Sequence, residues 1–448
     1  MKHTFHFPPI VLLIILVAVV GNVCFHPGAA FGKQPCDLLF FSTQLTPFDE
    51  AEKMRNMLLK GFGKKVMFKP EDNRLVFEKV IAGSGGDRPD LIGGGHGDFI
   101  SLKSHNILMD LSSFGTLWEK NKILEKYVDM AKIDNNFQYY IPWMQATYIM
   151  VANKKSLSFL PKGADINHLS FDQLFAWAKN INKITGKNRL GFPGAKKGLM
   201  HRFLQGCLYP SFTGGMVTGI DTSDCIVMWR YFKKLWGCVN EWSLSFSHME
   251  EPLLSDEVWI AWDHTARLIN VFKSRPDDFI AFPCPVGPKG RGFMVVLAGL
   301  GIPDYAENKQ TAMQLIHYLT SPAVQYQMPS SIGFFPVVNA KGGMNMSKGM
   351  QNIYNAVLRQ SASSDAVMAM LPSGLGRFNE AFNTSYLVTF SQIVLRNKDI
   401  PSVVTRQINR LEQVFELTHA PCWPPDGYSS GPCRVNLTGE IPGRKTNE

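Results

Sequence analysis

Three short runs in this chain carry side chains able to make directed polar contacts. GGGHGDF, from Gly93 to Phe99, places His96 and Asp98 directly behind three glycines, of which Gly95 is the last. Glycines let backbone N–H groups line a crevice at a strand end, and an imidazole with a carboxylate adds both donor and acceptor capacity. A second run sets the indole of Trp143 two residues from the amide of Gln145, and a third, VWIAWDH, ends on Trp262, Asp263 and His264. Indole faces pack on the C–H faces of a sugar ring, while amide, carboxylate and imidazole groups pair with hydroxyls. Gln44, after Ser42 and Thr43, and Glu71, beside Asp72, are further polar candidates; Arg377 in PSGLGRF is a cation available from the C-terminal block. Plainer readings stand beside these: His96 as a structural histidine in a tight turn, either tryptophan as core, Asp263 paired with Arg267 one helical turn on, and Glu71 solvated. Arg291, in GPKGRG, reads as an exposed loop residue.

Catalytic spacings are missing. GGGHGDF lacks the Gly-Lys-Ser/Thr of a phosphate loop, no acidic partner of a dinucleotide fingerprint is evident, and HExxH, GxSxG and zinc-spaced Cys/His sets do not occur. A glycosidase needs two carboxylates about 5 to 10 Å apart across the scissile bond, and nothing local in the sequence pairs them. No enzyme, metal site or cofactor is expected.

The elements that must position these groups alternate between strand and helix. Residues 37–42 read as a buried strand, Thr46 and Pro47 as the cap and first position of a helix whose apolar face is Phe48, Ala51, Met54 and Leu58, and residues 65–69, 75–82 and 89–92 as strand, helix and strand. This alternation implies a parallel sheet covered on both faces. Helices are expected over 170–186, 224–242 and 309–319, and strands over 258–262 and 279–282. Two long apolar runs, Tyr139 to Asn153 and Phe293 to Ile302, are longer than one lobe's sheet needs and read as strands crossing between two lobes with a cleft between them.

With 448 residues, 45% of them hydrophobic and 19% charged, the chain can build two or three domain-sized cores. A formal charge of +9, with no basic run interleaved with aromatics, gives no support for nucleic-acid binding, and a mean hydropathy of −0.06 excludes a polytopic membrane protein. Lys2 and His3, the apolar run Pro9 to Val20 and the small residues Gly28, Ala29 and Ala30 have the three parts of a secretory signal, which makes 1–30 a signal peptide. The residues before Cys24 lack a lipidation pattern. Of the seven cysteines beyond it, Cys422 and Cys433 flank a Pro/Gly-rich loop and are the best disulfide candidate; the rest read as buried thiols.

The runs DLIGGGHGDFISLKSHNILMDLSSF, YIPWMQATYIMVANKKSL, AWDHTARL, FMVVLAGLGIP and LTSPAVQYQMPSSIGFFPVV, in that order and spacing, resemble an extracellular solute-binding protein of family 1, the sugar-binding class that serves ABC importers. The resemblance runs from about Asp37 to Gln413 and implies an α/β, two-lobed periplasmic-binding-protein fold joined by hinge strands. It places lobe I at 31–145 plus 298–335, lobe II at 146–297 plus 336–417 and a tail at 418–448. It further implies an exported monomer, periplasmic or extracellular, that closes on a small polyhydroxylated solute such as a sugar or polyol and hands it to a membrane permease. Ligand contacts are then expected from Gln44, Glu71, Gly95, His96, Asp98, Trp143, Gln145, Trp262, Asp263, His264 and Arg377, although the aromatic that relatives carry before the histidine is replaced here by glycine. A phosphorylated or otherwise anionic solute, or a sensor role in place of transport, are the alternatives.

Overall fold

Leu38–Ser42 (β1) is buried at every position, as a strand covered on both faces must be. Val66–Pro70 (β2) and Leu91–Gly95 (β3) flank it in parallel, and Phe48–Lys53 (α1), Asn73–Ala82 (α2) and His96–Ser104 (α3) are the associated helices. The computed structural model describes residues 36–435 except 83–87, 134–136, 340–345, 428 and 430. Every element described here lies within residues 37–448, one compact unit. The expected signal peptide lies outside the described residues.

Two strands tie the molecule together. Ile141–Asn153, thirteen residues long, spans roughly 40 Å at strand rise, and runs antiparallel to Arg291–Gly301. Their halves serve different neighbours. Ala298 to Gly301 pairs with β3, whereas Tyr148 to Ala152 pairs with Ile260–His264, and Met150 to Asn153 with Phe279–Phe282. Among the described residues nine strands form one mixed sheet, and two short ones, Lys132–Ile133 and Phe137–Gln138, pair apart from it. Its hydrophobic cores change over along the first crossing strand: Trp143, Met144 and Ala146 pack with β1 and β3, and Tyr148, Ile149 and Met150 with the second lobe. The second crossing strand leaves no room at Gly299, where a Cβ would lie 2.0 Å from the Tyr140 ring.

Phe279–Phe282 and Lys309–Leu319 fall where the sequence places them. The first helix differs. Pro47 is its N-cap without a side-chain cap, and the helix tightens and loosens through a π-turn at Met54–Leu58 before a 3-10 turn ends at Gly63, whose φ is 78°. Its buried face is Ala51, Met54 and Leu58, while Phe48 is 76% exposed.

Two expectations need correction. Arg291 is not in an exposed loop: it begins the second crossing strand, is 1% exposed, and donates from Nη1 to the Asn167 carbonyl at 2.9 Å. Nor does the segment after Ile400–Thr418 simply run over the surface. Cys422, Trp423, Cys433 and Val435 enter the second lobe's core, a disulfide joins Cys422 to Cys433 with Cα atoms 4.5 Å apart, and Asp426 is buried. Among the described residues no helix is long and apolar enough to cross a membrane.

Candidate functional site

The carboxyl ends of β1 and β3 lie side by side, with Ser42 in register with Gly93. Chain reversal there brings Thr43 and Gln44 against the start of α3. Asp98, third residue of that helix, accepts from the Thr43 hydroxyl at 2.7 Å and the Gly95 N–H at 2.9 Å through Oδ2, and from Asn73 Nδ2 through Oδ1. Gln44 Nε2 in turn donates to Thr43 Oγ1 at 3.1 Å. Burial pushes the Asp98 carboxyl up, opposed by these three hydrogen bonds. Gln44, Gly95 and Asp98 therefore form one polar cluster on the first lobe. A Cβ at Gly94 would sit 3.1 Å from the Asp98 side chain, so a side chain at that position requires the carboxylate to give by a few tenths of an ångström.

Other candidates of this lobe are committed elsewhere. His96 Nδ1 lies 2.6 Å from the Tyr140 hydroxyl, and burial pushes its imidazole down to about 4. Glu71 is gripped by Lys79 of α2. Trp143 is fully buried against Phe40, and its carbonyl accepts from Gln325 at 2.7 Å; it is a core residue and not a stacking wall. Gln145 is half-buried and exchanges backbone hydrogen bonds with Phe335. Arg377 is exposed, its guanidinium over Phe378, and has no contact with the cluster among the described residues.

On the second lobe, Tyr148 of the crossing strand pairs with His264, and Met150 with Trp262. Trp262 lies flat on Tyr148, centroids 4.8 Å apart and planes at 6°, with Phe203 edge-on at 5.2 Å. At 1% exposure this indole is core as well, so the two tryptophans belong to different cores and share no opening. Asp263 is fully enclosed. It accepts from the N–H groups of Met249 at 2.8 Å and His264 at 2.7 Å, with Arg267 Nη1 at 3.8 Å; burial outweighs these partners and raises its carboxyl to about 6. Asp263 thus positions the strand end and the helix after it. His264 Nδ1 accepts from the Ala266 N–H at 3.3 Å, which puts its proton on Nε2. Its ring stands edge-on to Tyr148 at 5.1 Å and meets Phe334 at 6.2 Å.

Sequence reasoning missed Asn73, Tyr148, His201 and Arg202. His201 and Arg202 lie in a helical segment at Met200–Phe203, and only the fold brings Arg202 to Tyr148 and His201 near Arg267. Burial, with Arg202 and Arg267 nearby, pushes His201 down to about 3; burial and Arg267 do the same to His264, also to about 3. Two proximities link the lobes. A Cβ at Gly97, in α3, would lie 2.7 Å from the Pro372 carbonyl, next to residues of the second core, and Glu50 of α1 lies within the field of Arg267. A separate cavity of about 630 Å³, lined by Ile123, Leu124, Val128 and Gln138 among others, contains none of the expected residues.

A two-lobed α/β receptor with polar groups at opposed strand ends defines a class of ligand-binding protein. Residues 76–326, more than half of the chain, match the family described as bacterial extracellular solute-binding protein, and the chain belongs to that family. No curated protein sequence matches it. Solved structures with the same fold include UgpB from Mycobacterium tuberculosis in complex with glycerophosphocholine, at 17% identity and TM-score 0.65, covering 85% of this chain and 98% of that one. Maltose-bound MalE3 of T. maritima is similar at 18% identity and TM-score 0.66, covering 85% and 99%. The GacH receptor of Streptomyces glaucescens, solved unliganded and with acarbose, is similar at 16% identity and TM-score 0.65, covering 85% and 98%.

Proposed function

We propose that this protein is the capture component of an ABC importer, closing on a small polyhydroxylated solute and delivering it to a membrane permease. What supports the reading is a polar grouping at strand ends on each of two lobes tied by shared strands, Thr43, Gln44 and Asp98 on one and His264, Arg202 and Arg267 on the other, with Gly97 of the first lobe close to Pro372 of the second. A solute that touches both walls only in the closed form drives closure by its differential affinity. Relatives of this fold hold maltose, acarbose and glycerophosphocholine, all rich in oxygen, which agrees with walls of amide, hydroxyl, carboxylate and imidazole groups. Residues 1–30 are read as an export signal, the compartment as periplasmic or extracellular, and the chain as a monomer that binds without catalysis.

A thermal-shift screen of sugars, polyols and their phosphorylated forms tests this. A solute at 100 times its Kd adds about 2.7 kcal/mol of apparent stability, so a true ligand raises Tm by several degrees. Gln44→Ala is expected to weaken that shift while leaving the unliganded Tm nearly unchanged; Thr43→Ala should weaken it too and also lower the unliganded Tm, because the Thr43 hydroxyl donates to the buried Asp98 carboxylate. No shift with any member of the panel, or turnover of a glycoside by the purified protein, contradicts the reading.

A further inference from the structure

The charges on the second lobe do not balance in the same way. Arg267 has Asp263 at 3.8 Å and acts electrostatically on Glu50 of α1. Arg202 makes no ion pair among the described residues. Its Nη1 donates to two neutral amide oxygens, Gln205 Oε1 at 2.9 Å and Asn383 Oδ1 at 3.5 Å, and Gln205 Nε2 donates to the same Asn383 oxygen at 3.0 Å. Amides held in this way orient a guanidinium without neutralising it. Burial pushes Arg202 below its usual range; the carboxylate in this neighbourhood, Asp263, lies beside Arg267 at 3.8 Å and not on Arg202, and burial keeps the His201 and His264 imidazoles neutral. On the strand end beside His264, Trp262 Nε1 and Thr265 Oγ1 are buried with no hydrogen-bond partner.

An unpaired, desolvated guanidinium is costly unless an anion completes it, and its planar fork matches the oxygens of a carboxylate or phosphate. The first lobe's wall differs, presenting hydroxyl, amide and carboxylate groups around Asp98. We infer that the captured solute is an acidic polyol, its anionic group seated on Arg202 with His264 Nε2–H and Arg267 alongside, and its hydroxylated part against Thr43, Gln44 and Asp98. This rests on the solute-capture reading and names the substrate class of that same cleft.

Isothermal titration of the full chain with glucose, glucose 6-phosphate, glucuronate, glycerol and glycerol 3-phosphate tests the inference. At least one acid is expected to bind about tenfold or more tightly than its neutral parent, with affinity falling as salt is added. The phosphate and carboxylate arms show which acid the site takes. Arg202→Gln is expected to lower the acid's affinity about 10- to 100-fold, with Arg202→Lys falling between. Without solute, Arg202→Gln should melt no lower than the parent protein, because an unpaired charge has been removed. Neutral parents binding as well as acids, or an Arg202→Gln protein that is strongly destabilised without solute, overturns the inference and leaves solute capture standing. No binding by any of the five probes overturns the acidic-polyol inference, and the capture reading then stands or falls on the wider thermal-shift panel.

Discussion

Asp263→Ala is expected to destabilise the protein by about 3–5 kcal/mol, read as a lowered urea midpoint with unchanged m-value. The carboxylate is fully enclosed and satisfies the N–H groups of Met249 and His264 while facing Arg267; without it two buried donors and a cation lose their acceptor. The pH dependence carries a second signature. A carboxyl raised to about 6 when folded, against about 4 in the unfolded chain, binds its proton more tightly in the native state. It therefore adds native stability as pH falls from 6 towards 4, by about 1.4 kcal/mol per unit. His96, His201 and His264 act in the opposite sense. Their folded values of about 4, 3 and 3 lie below the ordinary 6.5, so the unfolded chain takes up protons first as pH drops below 6.5 and the native state loses stability. Three imidazoles outweigh one carboxyl, so the parent protein weakens on acidification. Asp263→Ala, which lacks the compensating group, should weaken more steeply between pH 6 and 4. Equal slopes for the two proteins in urea titrations over that range would contradict the account.

The other large effect belongs to the C-terminal segment. Asp426 accepts from the backbone N–H groups of Met216, Val217 and Thr218 at 2.8 to 3.1 Å, and from the Thr218 hydroxyl at 2.7 Å. Trp423 beside it packs edge-on to Phe382 at 5.6 Å and against Phe415 at 5.9 Å. Asp426→Ala leaves three N–H groups without their acceptor and should cost about 3–5 kcal/mol; Trp423→Ala opens a core cavity of comparable cost. Both should make the segment after Thr418 more sensitive to limited proteolysis, at unchanged solute affinity. A loss under about 0.5 kcal/mol in both variants would mean that this segment is an appendage and not part of the second lobe.

Much of the architecture was legible because its signals are local. Short apolar runs bounded by Gly, Pro and capping residues gave β1, the helix at Lys309–Leu319 and the strand at Phe279–Phe282. The two crossing strands were legible from length alone. That same property hid the site. A strand covered on both faces has no polar alternation to tell cleft from core, so Trp143 and Trp262 looked like walls when each fills a core. The Asp98 and Gln44 cluster was legible because both residues lie just past strand ends. Arg202 was not, because its place beside Tyr148 depends on how a helical segment about fifty residues later packs on the crossing strand, and no local pattern records that packing. Trp423 and Asp426 escaped for a related reason: Pro and Gly mark the turns around them but say nothing of what the segment docks on.

Hydrogen–deuterium exchange, with and without the solute that gives the largest thermal shift, tests the shared cleft most directly. The account requires new protection at 42–46 and 95–99 on one lobe together with 200–205 and 262–267 on the other, appearing over the same range of solute concentration. Protection confined to a single lobe, or centred on the cavity lined by Ile123 and Gln138, would show that the two walls do not close on one molecule.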